Sequence, residues 1–130
     1  MIAWASMPLT TTQVIPIFRI FDVDKAKEFY VGYLGFTVDW EHRFDDNAPL
    51  YMQVSLGSFQ LHLSEHHGDG CPGSTVFVRV TGLDEYHKEL SSKNYRYLRP
   101  GINNEPWGAR SINVIDPFGN RIRFNEYVKS

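Results

Sequence analysis

Residues about 60 positions apart correspond in kind and order along this chain. Ile17 matches Phe77 and Arg19 matches Arg79; Val23-Asp24 matches Leu83-Asp84; Leu61-His62-Leu63-Ser64-Glu65 matches Ile122-Arg123-Phe124-Asn125-Glu126. Each half reads βαβββ. One helix covers one face of such a sheet and leaves the other bare, so two units side by side turn polar faces toward a shared hollow. The expected fold is α+β, with two βαβββ modules forming curved mixed sheets around a concave cavity. The modules span about 13–66 and 74–127 of a single domain at 13–127, preceded by an N-terminal extension at 1–12.

Local chemistry sets the elements. Gln13 to Phe21 reads as a strand with Pro16 near its start, where a missing N–H is tolerated. Asp22 is suited to cap a helix on which Val23, Ala26, Phe29, Tyr30 and Tyr33 recur at helical spacing until Gly35. Phe36 to His42 is extended, Asp45-Asp46-Asn47 is a turn, and Leu50–Leu56 and Phe59–Ser64 alternate as strands around Gly57-Ser58. After the Gly-rich loop His67–Ser74, the strand around Val76, Val78 and Val80 leads to Thr81-Gly82-Leu83-Asp84, which has capping-box spacing. Leu83, Tyr86 and Leu90 mark a second helix that Asn94 can end, and Tyr95–Leu98 reads as a short strand before a loop at Pro100–Gly108. The final hairpin carries its own turn chemistry. In Asp116-Pro117-Phe118-Gly119-Asn120 the carboxylate accepts backbone N–H groups, proline presets φ, and glycine tolerates positive φ.

Thirteen basic and fifteen acidic residues nearly cancel, without a long run of either sign, so no nucleic-acid footprint is expected. Nine Phe, seven Tyr and three Trp exceed what a small core needs, which leaves rings for a ligand or a partner chain. The single Cys71 lies in a loop and excludes an internal disulfide, so a reducing cytoplasm is the expected compartment. Met1–Ser6 lacks the basic and apolar segments of a signal peptide, Met7 is an alternative start, and no run approaches the ~20 apolar residues of a membrane span.

Four stretches together resemble the glyoxalase, bleomycin-resistance and dioxygenase (vicinal oxygen chelate) superfamily. They are Pro16-Ile17-Phe18-Arg19-Ile20-Phe21-Asp22, Glu28-Phe29-Tyr30 with Leu34-Gly35-Phe36, Pro106-Trp107-Gly108, and Asp116 to Phe124. The Pro-Trp-Gly element and the Asp-Pro-Phe-Gly-Asn turn are most similar to the bleomycin-resistance branch. That resemblance implies a homodimer holding a small-molecule ligand of bleomycin-like class in clefts between subunits.

Enzymes of the superfamily hold a divalent metal, and carried over by position the ligand places fall on Ile15, His62, Thr75 and Arg123. Only His62 is a good ligand. Arginine stands where a carboxylate is common, and an open catalytic site needs about three protein ligands. No metal, no cofactor and no catalytic residue are therefore expected, with a divergent metalloenzyme using His62 and Glu65 as the alternative, or a binder of another metabolite. His66 and His67 read as loop histidines. The candidate ligand-binding residues are Asp39, Trp40, Phe44 and Trp107, at places where bleomycin-binding relatives put rings and a carboxylate, with Gln60, His62, Ser64, Asn113 and Arg123 added by strand alternation. Arg19, Arg79 and Arg121 are weaker candidates. Such relatives are markedly acidic, whereas this chain carries a net charge of only -2 and arginines near the expected cavity, which makes a neutral or anionic ligand the alternative to a bleomycin-like one.

Overall fold

A computed structural model describes residues 8–128; the readings of Met1–Ser6 as an extension and of Met7 as a start lie outside the described residues. Two four-stranded sheets share the same order. In the first, β1 (Ile17–Arg19) pairs with β4 (Phe59–Ser64), which pairs with β3 (Tyr51–Leu56) and then β2 (Thr37–His42). In the second, β5 (Thr75–Arg79) pairs with β8 (Arg121–Tyr127), then β7 (Ala109–Ile115) and β6 (Asn103–Glu105). The first strand of each sheet runs parallel to its last, with Ile17 opposite His62 and Phe77 opposite Arg123, and the remaining pairings are antiparallel. The repeat seen in sequence is thus a repeat of topology. Among the described residues no helix is long and apolar enough to cross a membrane.

Strand alternation builds one continuous core. Phe18, Met52, Val54, Leu61 and Leu63 from the first sheet meet Ile112, Val114, Ile122 and Phe124 from the second. The period of two sends their neighbours to the opposite faces. α1 (Val23–Lys27) starts where expected, with Asp22 accepting from the Lys25 N–H at 2.9 Å. It then widens into a π-helical segment, Glu28–Tyr33, that buries Phe29, Tyr30 and Tyr33. Its orphan carbonyls are met from the other half, since Tyr86 donates to the Leu34 oxygen at 2.6 Å and Lys93 to the Tyr33 oxygen at 2.8 Å.

A second tie is buried. The Asp116 carboxylate accepts four hydrogen bonds of 2.7 to 2.9 Å, from the Phe118 and Asn120 N–H groups, the Asn120 carboxamide and the Tyr30 hydroxyl. The Asn120 carboxamide also donates to the Arg19 oxygen at 2.8 Å, so the turn of the last hairpin is bonded to the first strand and first helix. Gly119 adopts φ 93 there and packs against Gly73, which lets the linker loop approach the turn closely.

Three local expectations are corrected. β1 is shorter than Gln13–Phe21, because Gln13 and Val14 lie exposed and the parallel ladder engages only from Pro16, whose oxygen accepts from His62. α2 (Leu83–Ser92) lacks the capping box; Gly82 is its N-cap in a left-handed conformation, and Glu126 from β8 accepts the Gly82 N–H at 3.0 Å. A carboxylate from the neighbouring strand thus accepts the N-cap N–H, the role that a capping box gives to the acid at its fourth position, here Asp84. Tyr95–Leu98 is no strand. Tyr95 stacks on Tyr33 with centroids 4.5 Å apart and contacts Phe29, so its ring serves the packing of the first helix. The edge strand is instead Asn103–Glu105, a polar stretch in the expected loop; it pairs with β7 through the turn Glu105-Pro106-Trp107-Gly108, whose Pro and Gly occupy favoured turn positions.

Candidate functional site: two open hollows on opposite sheets

On the first sheet the face turned away from the core carries a hydrogen-bonded row. Asp39 accepts from the Gln53 carboxamide nitrogen at 3.0 Å and from Ser55 at 2.9 Å. A carboxylate only accepts, so Gln53 must present its nitrogen to Asp39 and its oxygen to His62, 3.0 Å from Nε2. His62 therefore carries its proton on Nε2, and its Nδ1 accepts from the Tyr51 hydroxyl at 2.7 Å. Asp39 thus fixes the tautomer of His62 through an intervening amide, and both ring nitrogens are occupied.

The row exists because β2 is bulged. The register slips between Val38 and Trp40, so Trp40 faces Gln53 while Asp39 bonds to Gln53 and Ser55 on the same side. Adjacent residues of a regular strand point to opposite faces; the extra residue puts an acid and an indole on one face. Trp40 lies nearly parallel to Tyr51, with centroids 6.0 Å apart, and edge-on to His62 at 5.3 Å. With His42, Phe44, His66 and Asp69, these two rings line a hollow of about 410 Å³.

The second sheet bears a hollow of about 400 Å³. Phe77 and Trp107 form its aromatic walls, with Arg121, Arg123 and Asn113 projecting from the strands and Ser111 and Asn125 on its floor. Trp107 stands at the tip of the β6–β7 turn and is 52% exposed. Ser111 donates to Glu105 at 3.0 Å, while the Asn125 side-chain oxygen is buried without a hydrogen-bond partner among the described residues.

The expected site residues thus divide between the two sheets. Asp39, Trp40, Gln60 and His62 share the outer face of the first, with Phe44 at its edge; Trp107, Asn113 and Arg123 meet in the second hollow. Ser64, expected on the concave face, is fully buried; it donates to Asp69 at 2.9 Å and accepts from the His66 N–H, so it anchors the loop. Glu65 accepts from the Leu50 N–H and lies 3.9 Å from Arg43, which commits it to the start of β3. His62 and His66 both pack against Tyr51, because the loop after β4 folds back over the sheet. Among the described residues, no three His, Cys, Asp or Glu side chains converge as a metal site. Sequence reasoning did not single out Tyr51, Phe77, Ser111 or Asn125. The alternation that picked His62 and Arg123 places Tyr51 and Phe77 on the same faces, whereas the burial of Ser111 and Asn125 depends on tertiary packing.

Burial lowers the pKa of His62 below its ordinary 6.5. The unfolded chain consequently binds more protons between the folded value and about 6.5, so His62 contributes its full stabilisation above that window and loses it as the pH falls through it. Protonation of Nδ1 also removes the acceptor for Tyr51. We predict that Tm falls as the pH is lowered from about 7.5 to 5.5, and falls less in His62→Gln. Equal slopes in the two proteins, measured by thermal melts, would refute the role given to His62.

A family model described as glyoxalase superfamily protein matches residues 5–130. A bleomycin resistance protein from Geobacillus stearothermophilus is 27% identical over 136 residues, covering 91% of this chain and 98% of the relative. The fold is similar to that of a crystallised bleomycin-binding protein complexed with bleomycin, at a TM-score of 0.68, 23% identity and coverage of 91% of this chain and 100% of that one. It is also similar to a glyoxalase-related enzyme from Clostridium phytofermentans, at a TM-score of 0.71, 21% identity and coverage of 93% and 98%.

Proposed function

The chain belongs to the glyoxalase superfamily, and we propose that within it the protein is a metal-free binder of the bleomycin-resistance type, sequestering bleomycin-like molecules in clefts formed where two copies meet. One observation carries this reading. Each sheet bears an aromatic-walled hollow of nearly equal volume, open on one side, within the range of small-molecule sites. A two-fold pairing that sets the first sheet of one copy against the second sheet of the other closes both hollows at once and makes two equivalent clefts.

The chemistry suits binding more than turnover. His62, the best candidate ligand or base, has both nitrogens engaged in a row that holds Tyr51 and Gln53 in place. Rigid rings presented by a pre-bonded sheet recognise flat heteroaromatic groups at low entropic cost. Sequestration needs nothing further.

Titration calorimetry of the purified protein with bleomycin tests the reading. The expected result is one bleomycin per subunit, with affinity at least about tenfold weaker in Trp107→Ala, since a central aromatic contact contributes on the order of 1–2 kcal/mol or more. Light scattering should give the mass of a dimer. No heat of binding at high micromolar bleomycin would remove the drug from the proposal.

A further inference from the structure

The two hollows differ in charge. Arg121 and Arg123 sit two residues apart on one face of β8, roughly 7 Å between Cα atoms. Among the described residues neither has a carboxylate within ion-pair distance; the pairs formed are Lys27–Glu41, Arg43–Glu65 and Arg110–Asp84. Glu105 supplies the one carboxylate of this lining, and Ser111 already bonds it. On the first sheet the carboxylate lining the hollow is instead Asp69, and Asp39 lies in the hydrogen-bonded row on the same face.

We propose that the hollow on the second sheet recognises a planar aromatic oxyanion, its ring against Phe77 and Trp107 and its anionic group between Arg121 and Arg123. Guanidinium groups without partners are costly to enclose and are relieved by an oxyanion that takes paired N–H donors. A cationic ligand entering here meets like charge. This assignment rests on the binding role proposed above and narrows it. A ligand spanning a closed cleft would place its anionic end on this sheet and any cationic end on the sheet of Asp39.

Calorimetry with 1-hydroxy-2-naphthoate tests it, because that probe joins a flat ring and a carboxylate. Naphthylmethylammonium serves as the charge-reversed probe and cyclohexanecarboxylate as the non-aromatic one. The expected result is binding of hydroxynaphthoate at least about tenfold tighter than either comparator, reduced about tenfold or more in Arg123→Gln and further in Arg121→Gln/Arg123→Gln. Circular dichroism and Tm establish that the variants are folded, and both positions are exposed. Equal or tighter binding of the ammonium probe, unchanged affinity in the double variant, or no hydroxynaphthoate binding at millimolar concentration would each overturn the assignment. Bleomycin titrated in parallel separates the two readings. Bleomycin binding without hydroxynaphthoate binding removes the oxyanion site and leaves the sequestration role, whereas the reverse supports the oxyanion site and removes the drug.

Discussion

Asp116→Ala is expected to destabilise the protein by about 3–5 kcal/mol, since it leaves several buried donors without a charged acceptor. Those donors are the Tyr30 hydroxyl, the Asn120 carboxamide and two backbone N–H groups. The loss reaches beyond the turn. Tyr30 is fully buried, and its pKa is raised well above 10 by desolvation and by the neighbouring Asp116 carboxylate, so it is a neutral donor that has lost its acceptor. Tyr30→Phe removes only the donor and leaves Asp116 its three other hydrogen bonds, at a cost of about 1–2 kcal/mol. Chemical denaturation of both variants separately and together measures the coupling. Additive losses would mean that the bond between helix and turn carries no coupling energy of its own.

Phe124→Ala should cost a similar amount by a different route, about 3–5 kcal/mol from lost burial and the cavity left behind. Phe124 is 2% exposed on β8 and meets Phe59 of the first sheet at 6.3 Å and Tyr86 of α2 at 5.3 Å, in edge-on contacts. Its ring is shared between the two halves. The variant should still unfold in one transition, shifted to lower denaturant, because the core is continuous. Two resolved transitions would show instead that each sheet is stable alone.

Much of this architecture was legible from local pattern. Strand alternation around Met52-Val54, Leu61-Leu63, Ile112-Val114 and Ile122-Phe124 is unambiguous because one face of each strand is buried and the other is not. Asp22 and the Asp116 turn act through bonds to residues a few positions away, so their chemistry could be read from sequence. What escaped depends on distant partners. Tyr95–Leu98 has strand-like composition, but stacking on Tyr33 uses its first residue otherwise. The acceptor for the N-cap N–H of α2 comes from Glu126, a residue 44 positions away. For the site, alternation placed His62, Asn113 and Arg123 on open faces, yet it could not reveal that Ser64 is taken up by its own loop or that the His62 tautomer is set from Asp39 through Gln53.

The bulge in β2 has a consequence for how this face can change between relatives. Thr37 and Val38 precede the slip in register, and Trp40, Glu41 and His42 follow it in regular alternation opposite Gln53, Met52 and Tyr51. Deleting Asp39 alone would therefore restore a straight strand, leave the indole where it stands, and strip the carboxylate from the row. The polarity of this wall is thus set by chain length as well as by residue type. A relative one residue shorter at position 39 is expected to keep the rings of this wall and lack its carboxylate.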